Sequence, residues 1–193
     1  MLKIFRKMDS VLLEGCRRGD PAAQRELFNR FSPRMFSVCR RYVSNKTDAE
    51  EVLIAGFVLV FSKINQFRDE GSFEGWMRRI MVNESLAFLR KKRSLFLYSE
   101  LGGAEDESDP VLPDAALLME ELLDIVASLP DGYRTVFNLY AIEGYSHKEI
   151  SGLLGIDENT SKSQLSRARQ LLRQRLSRFE NQEIKKAQDG KPD

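Results

Sequence analysis

Hydrophobic positions recur along this chain at helical spacing, and no stretch alternates with a period of two convincingly enough to make a strand. Val11, Leu12 and Gly15 predict a first helix over Met8–Arg18, broken at Gly19. Asp20-Pro21 is a cap followed by proline at the first helical position, and Ala23, Leu27, Phe28 and Phe31 form the stripe behind it. Ser32-Pro33 repeats that start signal. Met35, Val38, Cys39, Tyr42 and Val43 then follow at i, i+3, i+4, i+7 and i+8, which predicts a separate third helix. Thr47 with Glu50 three residues on reads as a capping box, so the next helix should start at Asp48. Its core face is Leu53, Phe57, Val60, Phe61 and Ile64, but the run from Val52 to Phe61 is apolar nearly all round. Two arrangements fit such a helix: it is covered on every side in a bundle, or Ile54 and Val58 meet a partner. The apolar run is too short to span a bilayer.

Behind it comes a loop, Gln66 to Phe73, which mixes two aromatics with charge and a glycine, and Ser72 can cap the helix that follows. That helix carries Trp76, Arg78, Arg79 and Asn83 and ends in Arg90-Lys91-Lys92-Arg93. Aromatic rings beside Arg and Asn are what a protein needs to hold unstacked bases, although Phe67, Phe73 and Trp76 also suit a core. One helix bundle over residues 8–93 accounts for all of this. From Ser94 the periodicity stops, and residues 94–116 read as an acidic, flexible linker.

A second small domain is expected over 117–179. Leu118, Leu122, Ile125, Val126 and Leu129 make one helix, stopped by Pro130. Asp131 caps the next, with Val136, Phe137, Tyr140 and Ala141 inward and Gly144 at its end. Ser146 and Glu149 form a capping box around His147, which reads as an exposed first-turn residue, with a pH switch as the alternative. Ile150, Leu153 and Leu154 are core, and Gly155 ends the helix. Asp157 caps a long helix to about Phe179 with Leu165, Ala168, Leu172 and Leu176 inside. A helix, a short glycine turn and a basic helix make a helix-turn-helix. Asn159, Thr160, Lys162, Ser163, Ser166, Arg167 and Gln170 lie outward, the first of them placed for base edges. Arg169, Arg173 and Arg175 are placed for phosphates. The tail, 180–193, is charged, lacks apolar spacing and is expected to be disordered.

Composition narrows the function. Net charge is only +1, but it is unevenly spread. Residues 1–47 hold eleven Lys/Arg against four Asp/Glu, residues 94–133 hold ten acids and no base, and residues 159–179 hold six bases and no acid. Basic parts separated by an acidic one fit two phosphate-facing domains and a connector that avoids DNA. Cys16 and Cys39 have no metal-ligand spacing and read as buried thiols in a reducing cytoplasm. With a single histidine, no catalytic constellation and no phosphate loop, neither an enzyme nor a cofactor or metal site is expected. No signal peptide or membrane-length apolar run is present, so no membrane insertion is expected.

The stretch DAEEV through GSFEGWMRRIMVN to LRKKR resembles region 2 of the sigma-70 family, in its small extracytoplasmic-function (ECF) group. YSHKEISGLLGIDENTSKSQLSRARQLLRQRL resembles region 4 of the same family. The resemblance implies an all-α protein of two small helical domains and a promoter-specificity subunit without catalysis of its own. It implies docking on core RNA polymerase through Asp48, Glu51, Val52, Ala55 and Val58. It implies capture of the melted −10 strand by Phe67, Arg68, Ser72, Trp76, Arg79 and Asn83. The −35 duplex then falls to Asn159, Thr160, Lys162, Ser163, Ser166, Arg167, Arg169 and Arg173. A connector threading toward the polymerase cleft and an anti-sigma factor as a further partner are implied as well. Two positions depart from the family pattern: Ile54-Ala55 stand where a Gln and an acid are usual, and Gly152 sits inside a helix. The rival reading is a free-standing helix-turn-helix regulator with residues 1–93 as a sensing or dimerising bundle. No coiled-coil seam or ligand cradle supports it.

Overall fold

Four helices build the amino-terminal half of the chain. The computed structural model describes residues 2–68, 70–98 and 125–189. The chain divides into two units, Met1–Ser108 and Asp109–Asp193. All regular elements among the described residues are helical.

In the first unit α1 spans Leu2–Arg17, α2 Pro21–Tyr42, α3 Lys46–Lys63 and α4 Phe73–Tyr98, with a 3-10 turn, Ile64–Gln66, after α3. Asp20 caps α2 as expected, its carboxylate accepting from the Ala22 N–H at 2.9 Å. Two helices were expected where α2 is one, with Pro33 inside it. The apolar stripe explains why. Leu27, Met35, Val38, Cys39 and Tyr42 are all buried along one unbroken face. A proline inside a helix costs about 3 kcal/mol. Burying each large apolar side chain returns about 1.5–3 kcal/mol, so the continuous stripe prevails. The start of α3 also differs. Asn45, not Thr47, is the cap, its side chain accepting from the Asp48 N–H at 3.0 Å.

α2, α3 and α4 pack on one another, and α1 closes against α2. Leu53, Phe57, Val60 and Ile64 are buried, together with Met77, Met81, Val82 and Leu86 of α4. Gly56 lets α3 and α4 approach, because a Cβ there would overlap the Met81 thioether. In α1 the inward residues are Leu12, Leu13, Gly15 and Cys16. Val11, expected inside, is 68 % exposed. α4 runs five residues beyond the expected boundary at Arg93. The rest of the acidic linker lies outside the described residues, as do Leu118, Leu122, Asp69 and the last four positions.

The second unit has a helical turn at 125–127, then α5 (Asp131–Phe137), a π-helical turn (Asn138–Ile142), α6 (His147–Leu154) and α7 (Glu158–Asp189). Leu129, Ala168 and Leu172 form its core with Ile125, Val126, Tyr133, Phe137 and Leu171 against them. The π turn widens the helix and shifts its register. Leu139 is therefore buried, while Tyr140 and Ala141, expected inward, are exposed. α7 continues past the expected end at about Phe179. Its last turns are rich in Glu, Gln, Lys and Ala, whose helix propensity extends a helix without any apolar stripe.

Candidate functional site

At the start of α4 four aromatic rings meet. Phe73 stacks on Trp76 with centroids 5.5 Å apart, Phe67 lies 5.1 Å from Phe73 and 5.7 Å from Trp76, and Phe31 of α2 stands 6.1 Å from Phe73. Phe67 is buried and Trp76 half-buried, so the cluster is core on one side and accessible on the other. Its loop is tied down at two points. Arg17 of α1 donates to the Phe67 carbonyl at 3.0 Å, and Ser72 caps α4, its hydroxyl accepting from the Gly75 N–H at 3.2 Å. Trp76, Arg79 and Asn83 sit at i, i+3 and i+7 on α4. Arg79 and Asn83 are exposed, as is Arg68 in the loop. Arg34 of α2 pairs with Glu74 at 2.9 Å and braces the first turn of α4. An aromatic platform, a guanidinium and a carboxamide thus lie along one accessible line.

α3 presents a different surface. Ile54 is 60 % and Val58 62 % exposed, with Glu51 and Ala55 exposed beside them. Glu51, Ile54, Ala55 and Val58 occur at i, i+3, i+4 and i+7, one helical strip that this unit leaves uncovered. Val52 is only 3 % exposed and is turned into the bundle at the edge of that strip. Asp48 is half-buried, its carboxylate 3.0 Å from the Lys92 ammonium of α4. Burial pushes both thiols of this unit up, that of Cys39 to about 12.

In the second unit α6 and α7 form the helix-turn-helix. The Ser146–Glu149 capping box is complete, and Ser146 holds the Glu149 carboxyl below the usual carboxylate range by two hydrogen bonds. Gly155, at φ 65°, closes α6 in the left-handed region that a side chain would strain. On α7, Leu165, Ala168 and Leu172 face in. Asn159, Lys162, Ser163, Ser166, Arg167, Arg169 and Arg173 are exposed and Thr160 is half-buried. Arg167 donates to the Tyr133 hydroxyl at 3.3 Å, and Arg175 bonds the Ser128 hydroxyl.

Three features here were not foreseen. Arg134 is 2 % exposed and donates to the carbonyls of Ala127 and Leu129 at 2.7 and 3.0 Å and to Asp131 at 2.6 Å. It closes the preceding helix, while Asp131, expected as a cap, makes no capping bond. A lone arginine in an apolar stretch, four residues after a helix-ending proline, is the available signal. Ser161 is fully buried. His147, expected to be exposed, is half-buried. Its Nδ1 lies 2.9 Å from the Ser161 hydroxyl, and its ring stacks on Tyr140.

The first unit thus carries an accessible aromatic and polar face, and the second a helix-turn-helix whose outer face is basic. Residues 27–95 match the sigma-70 region 2 family model, and residues 119–172 match sigma-70, region 4. The chain is 30 % identical over 172 residues to the ECF RNA polymerase sigma factor SigW of Bacillus subtilis (strain 168), spanning 83 % of this chain and 92 % of the relative. It is 30 % identical over 178 residues to the ECF RNA polymerase sigma-E factor of Escherichia coli (strain K12), 85 % and 92 % of the two chains. In fold it is similar to the sigma factor RpoE of Bartonella quintana, solved in complex with the anti-sigma factor NepR. The TM-score is 0.55 at 21 % identity, over 79 % of this chain and 96 % of that one. The chain belongs to the sigma-70 family, in its extracytoplasmic-function group. Among the described residues, no helix is long and apolar enough to cross a membrane.

Proposed function

We propose that this chain is a promoter-specificity subunit that docks on core RNA polymerase and acts without catalysis of its own, in the cytoplasm. The uncovered strip of α3 carries this reading. A bundle that buries Leu53, Phe57, Val60 and Ile64 has no internal reason to leave Ile54 and Val58 in water. The contact surface is Glu51, Ile54, Ala55 and Val58, with Val52 supporting them from within and Asp48 contributing from its pair with Lys92. Ile54 and Ala55, which replace the usual Gln and acid, make the contact more apolar than is common in the family.

The −10 strand is assigned to Arg68, Trp76, Arg79 and Asn83. Phe67 shapes the platform from below, and Ser72 holds the first turn of α4. Asn83 offers a donor and an acceptor to a base edge. The −35 duplex is assigned to Asn159, Thr160, Lys162, Ser163, Ser166 and Arg167, with Arg169 and Arg173 on phosphates. Unstacking costs a few kcal/mol per base, and stacking on an aromatic returns about 1–3 kcal/mol. One or two captured bases therefore offset only part of a bubble, and the polymerase supplies the remainder. An anti-sigma factor, the partner in the Bartonella complex, is the natural competitor for these surfaces. The test is binding of purified core polymerase to the chain and to the Ile54→Asp/Val58→Asp variant. The reading requires tight binding by the first and at least a tenfold loss in the second, with unchanged helicity. Equal binding by both removes the α3 strip from the contact.

A further inference from the structure

The start of α4 is braced from α2, through Phe31 on Phe73 and Arg34 on Glu74, but the chain that leads into it is held from α1. Arg17 is the last residue of α1, a cation at the helix end that carries the negative dipole. Its Nη2 donates to the Phe67 carbonyl, fifty residues further along the chain, at 3.0 Å. The side chain is half-buried, and the Glu14 carboxylate, one turn back, lies 3.9 Å from it. A hydrogen bond from a charged donor is stronger than one between neutral groups. Phe67 is a junction. Its N–H donates to the Ile64 carbonyl at 3.2 Å and closes the 3-10 turn, and its backbone then becomes extended, at φ −73° and ψ 113°. Its ring is buried against Phe73 and Trp76. Arg68, which follows, is exposed. The platform thus holds the Phe67 ring, and Arg17 holds its carbonyl. A peptide group is planar, so fixing that carbonyl also fixes the direction in which the next residue leaves.

We propose that Arg17 is a positioning residue for capture of the unpaired strand: by holding the Phe67 carbonyl it sets the direction in which Arg68 leaves the aromatic platform before DNA arrives. The inference rests on the assignment of that platform to the −10 strand. Arg17 itself touches no base and acts through Phe67 and Arg68. A side chain already placed need not be ordered by the ligand, so part of the cost of binding is removed in advance. Without the bond, the backbone at Phe67 is in the competent orientation only part of the time, and apparent affinity falls with that fraction. The effect belongs to the melted strand. It spares docking through the α3 strip and duplex binding through α7, neither of which Arg17 contacts through Phe67.

Trp76 is the single tryptophan of the chain, so its fluorescence reports on the platform without any DNA. The full chain is compared with Arg17→Met, which keeps the apolar stem and removes the donors, and with Arg18→Met, which removes the same charge from the exposed neighbour. Acrylamide quenching of Trp76 is measured on each. Each is then assembled with core polymerase, and affinity is measured for core, for a fork-junction DNA with an unpaired non-template −10 strand, and for the same sequence fully paired and kept closed in the cold. The sequence is taken from a start site that the wild-type holoenzyme uses. Arg17→Met should bind core and closed duplex within about twofold of wild type and the fork about tenfold more weakly, with Trp76 quenched about twice as readily. Arg18→Met should match wild type throughout. Wild-type fork affinity in Arg17→Met, an equal loss on fork and closed duplex, a fork loss without change at Trp76, or the same fork loss in Arg18→Met overturns the proposal. No fork binding by any holoenzyme would instead overturn the promoter reading beneath it, and the quenching of Trp76 then still shows whether Arg17 holds Phe67. If Arg17→Met does not melt cooperatively, Arg17→Gln takes its place under the same outcomes.

Discussion

Cys39 lies at the closed centre of the first unit, and burial pushes its thiol up to about 12. A neutral thiol is a poor nucleophile, so native protein should leave Cys39 unmodified by an aromatic disulfide reagent near pH 8, with reaction only on unfolding. Reaction at the rate of an exposed thiol would contradict the packing. The sign of the linked stability follows from the same shift. The folded thiol holds its proton more tightly than the unfolded one, so the contribution is complete below about pH 9 and is lost as pH rises toward 12. Asn83 tests the opposite, solvent side of the same unit. Asn83→Ala should leave stability within about 0.5 kcal/mol and reduce open-complex formation in single-turnover initiation by about tenfold. Unchanged initiation removes Asn83 from the site. At this scale the sequence was legible where a stripe is regular, as with Leu53, Phe57 and Val60. It was opaque where one residue shifts the register, as with Tyr140 in the π turn, or where a polar group is buried by bonding to backbone, as with Arg134.

Among the elements, caps and breaks were the readable signals. Asp20, Ser72, the Ser146–Glu149 box and Gly155 act as their residue types require. Pro33 misled because a local start signal is weaker than a shared buried face. Thr47 misled because Asn45, two residues earlier, offers the better-placed oxygen. Two variants measure such local terms in the second unit. Nothing lies within 4 Å of a Cβ built at Gly152, which is exposed in α6. Gly152→Ala should therefore stabilise the unit by about 0.5–1 kcal/mol. A loss of stability would show that this glycine makes a close approach to something else. Arg134→Met keeps the apolar stem but leaves two carbonyls short of their donor. It should cost about 2 kcal/mol in denaturant unfolding. A neutral result would mean that water replaces the guanidinium.

At the scale of the whole molecule, two units carry two distinct faces. The first combines an uncovered apolar strip on α3 with an aromatic, Arg and Asn line on α4, and the second carries an exposed basic face on α7. Along the chain, basic ends flank an acidic stretch between residues 94 and 133. What the first unit binds was legible only through resemblance, because composition cannot tell an uncovered strip from a fully covered helix. The account turns on both faces acting on one promoter while a polymerase carries them. Initiation by core polymerase reconstituted with this chain, with start sites mapped on a library of genomic fragments, tests that claim most directly. The account predicts a defined set of start sites that appears only with the chain, shares two upstream elements and is lost with Ile54→Asp/Val58→Asp. A core enzyme that initiates no template more often in its presence would contradict it.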